Sequence, residues 1–390
     1  LYGTKAGGGG DAYEISRSLR FNDNDSAYLG RTPGVAGDRR TFTFSCWLKR
    51  SNLSNGSAYP RLLATARSFG TYSEFNFMTD DTLRLQLAEG SFQTNQVFRD
   101  PSSWYHIVLV VDTPQANNSD RVKIYVNGTQ IAESDYSNFP TITQSHETGF
   151  NAAQAHAIGR YEHSPGEYLD GYLADVYLID GQAKAPTDFG EFDDSGVWQP
   201  KLYTGGNYGT CGFHLNFSDN SNTTATTLGK DTSGQGNNWT PNNFSVAAGG
   251  DNDSLTDVPT SYGSDTGSGG EVRGNFCTWN PLEVASGYTI SNGNLSFVRT
   301  TNDWKAIKGT MGVSSGKWYY ETTVTDKYTA DLMFGICSTD VNVYTSATIQ
   351  DDPTERNKGM FIFCDNGKTQ LDNNARENYS TSLTTGDTIG

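Results

Sequence analysis

Glu191 and Asp193 are the residues of this sequence whose spacing comes closest to that of a hydrolytic carboxylate pair. Two residues apart on a strand, both side chains would point to one face, and retaining glycoside hydrolysis needs two carboxyl groups about 5–5.5 Å apart. The pair lies in a polar stretch shortly before Pro200, which predicts a connecting loop instead of a strand. We therefore expect no hydrolytic site here and no enzymatic activity in the chain.

The histidines and cysteines show no reactive pattern. His106 lies inside an apolar run, and His146, His156 and His163 are near one another without the spacing of metal ligands. No Ser-His-Asp or Cys-His arrangement is recognisable. No two of the five cysteines have C-x-x-C spacing, so zinc and redox motifs are not predicted. Cys46, Cys337 and Cys364 lie in apolar strand-like runs, where a free thiol behaves as a small hydrophobe, and this favours synthesis in a reducing cytosol.

Aspartates in loops are the candidate metal ligands, and calcium is the metal that such hard oxygen ligands suit best. The candidates are Asp23, Asp25, Asp170 with Asp175, and Asp231. None of them completes the D-x-[DN]-x-[DN]-G pattern of a calcium loop. The alternative is that these side chains bond their own backbone in Asx turns, which are common wherever Asp and Asn are abundant.

Aromatic residues in loops are the candidates for contact with a carbohydrate. A glycan site needs exposed rings beside Asn, Asp or Gly at one end of a sandwich. Five residues have such positions: Tyr59, Phe69, Tyr72, Tyr161 and Tyr168. Each of them alone is more often a core or rim aromatic, so the class of site is predicted more firmly than any single residue.

These side chains must be positioned by β-strands, whose strongest signal runs from Trp104 to Gly128. Trp104–Asp112 is an apolar, β-branched run that predicts a central strand covered on both faces. After a polar turn, Arg121–Asn127 alternates polar and apolar residues, which predicts a half-buried partner strand ending in an Asn-Gly turn. Helical periodicity is not seen, and the other predicted strands lie at about 19–21, 41–49, 61–68, 74–78, 82–89, 155–159 and 169–179.

The strand motifs resemble those of laminin-G-like domains in the concanavalin A-like lectin/glucanase superfamily. The resemblance covers roughly residues 15–190 and rests on F-T-F-S-C-W-L-K at 42–49, W-Y-H-I-V-L-V-V-D at 104–112, V-K-I-Y-V-N-G-T at 122–129 and L-D-G-Y-L-A-D-V-Y at 169–177. It implies a jelly roll in which the first strand, 19–21, lies beside the last, 213–217. Glucanases of the superfamily use E-x-D-x-x-E, and Gly196 stands where the last Glu would be.

A second domain is expected after a stretch rich in Gly, Asp and Ser. S-G-K-W-Y at 315–319, F-G-I at 334–336 and G-D-T-I-G at 386–390 resemble a SPRY domain, a non-catalytic binding module. SPRY domains continue beyond the last motif, so we expect this one to be C-terminally incomplete. The predicted fold is all-β, with two tandem antiparallel sandwiches: an arm at 1–14, a jelly roll at 15–246, a linker at 247–272 and a SPRY-like domain at 273–390.

Charge and hydropathy exclude some partners. The 390 residues carry a formal net charge of −16, which disfavours nucleic acid and anionic membrane surfaces as partners. No apolar run reaches transmembrane length, and no signal peptide is visible, so membrane insertion is not expected.

A further resemblance concerns biological context. D-T-S-G-Q-G-N-N-W at 231–239 and F-R-D-P-S-S-W-Y-H at 98–106 resemble sequences in virion-associated proteins of marine tailed bacteriophages. This implies synthesis in the host bacterial cytoplasm and a place on the exposed virion surface, as a tail fibre, spike or capsid appendage. The implied work is host attachment by carbohydrate binding. Expected partners are other virion proteins, a host-surface glycan and further copies of the chain, commonly as a trimer. The alternatives are a structural or decorating role without glycan binding and, less favoured, a polysaccharide depolymerase.

Overall fold

The structure is a computed structural model that describes residues 13–53, 59–67, 71–162, 166–260, 274–299, 306–316, 318–326, 332–341, 358–364, 366–371 and 377–390. The chain divides into two compact units, Leu1–Phe276 with Ser291–Gly293, and Cys277–Ile290 with Asn294–Gly390. The all-β, antiparallel prediction is confirmed. Short 3₁₀ turns lie at Asp23–Asp25, Asn118–Asp120, Glu133–Asp135 and Pro186–Asp188. Among the described residues, no helix is long and apolar enough to cross a membrane.

The first unit is built from two large sheets. Its strands in chain order are β1 Ser18–Phe21, β2 Tyr28–Arg31, β3 Thr41–Arg50, β4 Arg61–Thr65, β5 Glu74–Phe77, β6 Thr82–Leu87, β7 Gly90–Val97, β8 Trp104–Asp112, β9 Val122–Val126, β10 Thr129–Gln130, β11 Tyr136–Asn138, β12 His156–Ile158, β13 Gly171–Asp180, β14 Gly190–Phe192, β15 Trp198–Pro200, β16 Phe213–Leu215, β17 Thr240–Asn242 and β18 Ser254–Leu255. The first sheet has the order β10-β9-β8-β3-β13-β1-β18, with β16 also on β13. The second has the order β11-β7-β6-β5-β4-β12-β2-β17.

The predicted central hairpin is confirmed. β8 pairs with β9 in an antiparallel ladder that joins Val111 to Val122 and Ile107 to Val126. β8 is buried over nearly its whole length, as its apolar sequence predicts. Asn127 and Gly128 follow β9 with φ of 47° and 79°, the left-handed conformation that a two-residue hairpin turn requires at both positions.

The predicted pairing of the first strand with residues 213–217 is wrong. β13 is ten residues long, and one of its edges carries two short strands in succession. β1 occupies the part around Leu173, and β16 occupies the part around Leu178. The other edge of β1 pairs with β18, at residues 254–255 of the expected linker. Because β13 spans both short strands, β1 and β16 lie in one sheet without being neighbours.

The core lies between the two sheets. Because side chains alternate between the two faces of a sheet, every second residue of each strand points into this core. In the second sheet, Phe75 of β5 and Leu85 of β6 are fully buried in it. Their neighbours Glu74 and Arg84 consequently point to the outer face of this sheet. β7 was not predicted, since Gly90–Val97 is polar apart from Phe92 and its last residue. It forms because Phe92 completes the core opposite Leu85.

The outer face of the first sheet is covered by a further layer of chain. Ile15 and Val258 pack there with Trp47, Trp104 and Trp198 in one cluster of buried residues. A neighbouring cluster is formed by Val108, Val110, Tyr177, Ile179, Phe189, Tyr203 and Tyr208. The first sheet is therefore apolar on both faces, whereas the second keeps polar side chains on its outer face.

The second unit consists of short strands, namely β19 Trp279–Val284, β20 Tyr288–Ser291, β21 Ser296–Arg299, β22 Ile307–Gly309, β23 Thr322–Thr323, β24 Met333–Cys337, β25 Gly359–Phe363, β26 Lys368–Leu371, β27 Glu377–Asn378 and β28 Thr388–Ile389. Its largest described sheet has the order β24-β25-β26-β27. Val324, Phe334, Ile362 and Cys364 form its buried cluster. The likeness to a SPRY domain stays a prediction.

Candidate functional site

Three of the predicted aromatic residues surround a group of arginines on the outer face of the second sheet. Tyr59 precedes β4, Tyr72 precedes β5, and Tyr161 follows β12. The Arg61 guanidinium carbon lies 4.8 Å from the Tyr161 ring centre and 5.6 Å from that of Tyr59. That of Arg67 lies 4.3 Å from the Tyr72 ring centre. These distances are within the range of cation–π attraction, so rings and cations position one another.

A buried carboxylate lies at the centre of this group. Glu74 Oε2 is 3.3 Å from both Arg61 Nη2 and Arg84 Nη2, while Oε1 is 3.6 Å from Arg67 Nη2. Glu167 also contacts Arg61 Nη2, at 2.8 Å. We call Tyr59, Tyr72, Tyr161, Arg61, Arg67, Arg84 and Glu74 the tyrosine–arginine cluster.

The charges of the cluster differ in their contact with water. The side chains of Glu74 and Arg61 are 2% and 4% exposed, whereas that of Arg67 is 43% exposed. Burial lowers the pKa of Arg61, and the nearby Glu74 opposes that effect. Two buried polar atoms of the cluster, Glu74 Oε1 and Arg61 Nε, have no hydrogen-bond partner. Arg61 and Glu74 therefore form the buried part of the cluster, and Arg67 is its most exposed charged group.

Polar side chains extend from the cluster across neighbouring strands. Arg61 lies opposite Asn76, Asn76 opposite Arg84, and Arg84 opposite Gln93. Arg84 Nε donates a hydrogen bond to Asn76 Oδ1 at 3.2 Å. Sequence reasoning missed these residues, although the alternation of β5 and β6 marks Asn76 and Arg84 as pointing away from the core.

The two other aromatic candidates do not join the cluster. Tyr168 packs near Tyr28, with ring centres 6.4 Å apart, and Arg160 covers the Tyr28 ring at 3.6 Å. Phe69 lies outside the residues that the structure describes.

The five predicted metal ligands fall into separate places. Asp170 lies at the start of β13, beside the end of β1, because Phe21 pairs with Gly171. Asn22, which the sequence analysis did not single out, therefore lies next to Asp170. Asp170 Oδ1 and Asn22 Oδ1 are both buried and have no hydrogen-bond partner. Burial, and then the charge of Asp23, raise the pKa of Asp170 well above its ordinary value.

Asp23 and Asp25 belong to the 3₁₀ turn that follows Asn22. Asn22 Nδ2 donates to Asp25 Oδ2 at 2.6 Å, and burial raises the pKa of Asp23. In the described ranges, no three His, Cys, Asp or Glu side chains converge in a metal-binding arrangement. A cation beside Asp170 would therefore rely on the Asn22 amide oxygen and on further carbonyl or water oxygens, which calcium accepts.

Asp231 organises its own loop. Its carboxylate accepts backbone N–H bonds from His214 and Ser233, each at 2.9 Å, and from Asn237 at 2.8 Å. These contacts use the oxygens that a metal would need. The structure favours the turn-forming alternative for this residue.

Asp175 belongs to a buried hydrogen-bond network away from Asp170. Its Oδ1 accepts from Tyr13 Oη at 2.8 Å and lies 2.5 Å from His214 Nε2. The other His214 nitrogen lies 3.0 Å from Thr232 Oγ1. Asp175 and His214 are 1% and 5% exposed, so a substrate cannot reach this pair. The network joins the N-terminal segment and the 231–239 loop to β13.

Ser45 and His106 also resemble part of a catalytic arrangement but cannot act as one. His106 Nε2 is 2.8 Å from Ser45 Oγ, and Trp198 Nε1 donates to His106 Nδ1 at 2.9 Å. Burial lowers the pKa of His106 to about 3, so the ring is neutral. Because Nδ1 accepts, Nε2 carries the proton and donates to Ser45, the opposite of what a general base requires.

Glu191 and Asp193 are not placed as a carboxylate pair. The predicted loop is in fact a hairpin, in which β14, containing Glu191, pairs with β15. Asp193 lies in its turn and accepts backbone N–H bonds from Ser195 and Val197, each at 2.9 Å. Glu191 lies 3.7 Å from the Lys201 ammonium group at the surface.

Comparison with known families agrees with this architecture. Residues 21–186 match the family model described as the Concanavalin A-like lectin/glucanases superfamily. The first unit therefore contains a domain of this superfamily, with its lectin-like fold. A search of curated protein sequences finds no match.

Several solved structures are similar to parts of the chain. A crystal structure of a putative carbohydrate binding protein from Bacteroides ovatus is 18% identical, with a TM-score of 0.39, and the alignment covers 59% of this chain and 59% of that one. The SAP-like pentraxin of Limulus polyphemus is 17% identical, with a TM-score of 0.31, and the alignment covers 45% of this chain and 80% of that one. A sialidase of Trypanosoma rangeli is 14% identical, with a TM-score of 0.32, and the alignment covers 45% of this chain and 27% of that one.

Proposed function

We propose that the first unit binds carbohydrate through the tyrosine–arginine cluster. The observation that carries this proposal is the convergence of three tyrosine rings and three guanidinium groups around one buried carboxylate, on the polar face of a lectin-like domain. Rings offer apolar surface to the C–H face of a sugar. The exposed guanidinium group of Arg67 offers the directed hydrogen bonds that fix the orientation of a ligand.

The exposed edge of the cluster supports the same function. The Arg67 side chain is 43% exposed, and Tyr59, Tyr72 and Tyr161 are half-buried, so a ligand in solution can reach these four residues. Glu74 and Arg61, at 2% and 4% exposure, hold these groups in position instead of contacting a ligand themselves.

The wider role that we propose is host attachment from the surface of a bacteriophage particle, as a tail fibre, spike or capsid appendage. The 98–106 and 231–239 motifs support this context. Other virion proteins would hold the chain on the particle, and several copies, with a trimer as one arrangement, could raise apparent affinity for host glycans by about 10²–10⁴ through avidity. A decorating role without glycan binding is the competing proposal. We propose no catalysis, because neither Glu191 with Asp193 nor Ser45 with His106 has a catalytic arrangement.

Binding of the purified chain to a glycan array and to candidate host cells tests the proposal. Tyr161→Ala and Tyr72→Ala should each weaken binding about tenfold or more, since each removes a ring of the cluster. Phe192→Ala is the matched control, because Phe192 is an exposed aromatic residue of β14, outside the cluster. Binding that is lost equally in all three variants, or in none of them, would contradict the proposed site.

Calcium is a separate proposal for the oxygen atoms beside β1 and β13. Asp170 Oδ1 and Asn22 Oδ1 are buried acceptors that lack donors, and Asp23 and Asp25 follow directly in the chain. A hard cation would satisfy both oxygens and offset the burial of the carboxylate. Its role would be to hold the ends of two strands together.

A further inference from the structure

The charges of the tyrosine–arginine cluster are not balanced. Three arginines, Arg61, Arg67 and Arg84, contact Glu74, and Glu167 adds one more carboxylate. Three positive and two negative groups leave one positive charge in surplus. This surplus stands out in a chain whose formal net charge is −16.

The surplus charge is located at Arg67. Arg61 and Arg84 both contact Glu74 Oε2 at 3.3 Å, and Arg61 also contacts Glu167 at 2.8 Å. Arg67 has a longer ion pair, 3.6 Å to Oε1, and its side chain is 43% exposed, against 4% for Arg61 and 18% for Arg84. Its guanidinium group is the part of the cluster that a ligand in solution can reach most directly.

The rings on either side hold Arg67 in place. Its guanidinium carbon is 4.3 Å from the Tyr72 ring centre and 5.8 Å from that of Tyr161. A planar guanidinium held in this way is prepared for a carboxylate or sulfate, which it binds through two parallel hydrogen bonds. Little side-chain entropy remains to be lost when such a group binds.

We infer that the site selects acidic glycans, and that Arg67 binds their carboxylate or sulfate group. This inference rests on the proposed function, whose sugar-binding face is the same cluster. The net negative charge of the chain does not oppose it, because at physiological ionic strength screening confines electrostatic effects to about 8 Å. Away from the cluster the acidic surface repels polyanions, so binding is expected to saturate at one site per chain.

The test uses the full chain and three polymers that share one backbone: unmodified dextran, carboxymethyl-dextran and dextran sulfate. Affinity electrophoresis and calorimetry should show binding to one or both charged polymers and at least tenfold weaker binding to dextran. The two charged arms distinguish a carboxylate from a sulfate ligand. Arg67→Gln should weaken acidic binding about tenfold to hundredfold, as expected for loss of a charge-assisted hydrogen-bond pair. Arg67→Lys should be intermediate, since it keeps the charge and loses the planar fork.

Arg40→Gln is the matched control. Arg40 is 48% exposed, pairs with Glu147 at 2.7 Å before β3, and its loss changes the net charge by the same amount. Thermal unfolding of each variant checks that the fold is kept. Equal affinity for neutral and charged polymers, no binding to any of them, or equal effects of Arg67→Gln and Arg40→Gln would overturn the inference. If the chain binds neutral glycans on the array and Tyr161→Ala abolishes that binding, the proposed function stands although the inference about acidic glycans fails. If the chain binds no glycan on the array either, both the inference and the proposed function fail.

Discussion

Trp198 Nε1 donates a hydrogen bond to His106 Nδ1 across 2.9 Å, and this contact decides the protonation state of a buried histidine. The His106 ring is stacked between Trp47 and Trp198, with ring centres 4.8 Å and 5.9 Å away. A proton on Nδ1 would displace the indole N–H, and the resulting charge would be surrounded by apolar rings. The ring therefore stays neutral and serves packing, not catalysis.

The first prediction concerns acid stability. Burial lowers the pKa of His106 to about 3 in the folded state, below its ordinary value of 6.5. Between these two pH values the histidine is protonated in the unfolded chain and neutral in the folded one. The folded state therefore loses stability as the pH falls from 6.5 towards 3. The free energy of unfolding should fall by about 1.4 kcal/mol per pH unit from His106 alone.

Equilibrium denaturation of the wild-type chain and of His106→Gln from pH 7 to pH 4 measures this effect. The amide of Gln can accept from Trp198 and donate to Ser45, but it does not titrate. Wild type should lose stability relative to His106→Gln as the pH is lowered, because only the wild-type side chain takes up a proton on unfolding. A difference that stays constant over this range would show that His106 is not held neutral.

The second prediction concerns calcium at Asp170. Burial raises the pKa of this carboxyl group in the folded state. In the calcium-free protein the Asp170 carboxyl group therefore lowers the free energy of unfolding as the pH rises above about 4, the pKa of Asp in an unfolded chain. Calcium at a hundred times its dissociation constant should add about 2.7 kcal/mol of stability at pH 7. Asp170→Asn should lose most of this gain without lowering the stability of the calcium-free protein.

Thermal unfolding with calcium, with magnesium and with a chelator provides the measurement. Asp219→Asn is the control, because Asp219 is only half-buried and its carboxylate accepts hydrogen bonds from Ser221 N and Oγ within a loop. If calcium does not raise the unfolding temperature of the wild-type chain, water satisfies Asn22 Oδ1 and Asp170 Oδ1, and the calcium proposal is wrong.

The third prediction concerns Gly128 in the turn between β9 and β10. Its φ is 79°, and an added Cβ would lie 2.5 Å from the Trp198 ring. Gly128→Ala should cost about 2–4 kcal/mol, the sum of left-handed strain and overpacking. Gly234 provides a matched control, because its φ is 87° and no atom lies within 4 Å of the added Cβ. Gly234→Ala should cost only about 1–2 kcal/mol, from left-handed strain alone, and equal losses in denaturation experiments would contradict the close contact.

The fourth prediction concerns the hydrogen bond from Tyr13 to Asp175. Tyr13→Phe removes a donor to a buried carboxylate and should lower the free energy of unfolding by about 1.5–3 kcal/mol. Tyr105→Phe is the comparison, since its hydroxyl accepts a 3.2 Å bond from Asp100 N at the surface. Chemical denaturation should rank the two variants clearly. Similar losses would mean that Tyr13 does not hold the N-terminal segment against β13.

The amino-acid sequence by itself determined the features that depend on neighbouring residues. The apolar run from Trp104 to Asp112 marked a strand buried on both faces, because only such a strand tolerates apolar residues at every position. Asn127-Gly128 marked the turn that follows β9, because both residues accept positive φ readily. The superfamily of the first domain was recognisable from these strands in series.

Only the tertiary structure decided which distant residues meet. Tyr59, Tyr72 and Tyr161 share one cluster, whereas Tyr168 does not, because strand order and not chain distance places their loops. Asn22 became a candidate ligand once β1 was paired with β13, a contact that spans about 150 residues of sequence. Local patterns carry backbone preferences and the direction of each side chain. The pairing of remote strands depends instead on how the whole core closes, and the candidate sites are products of that closure.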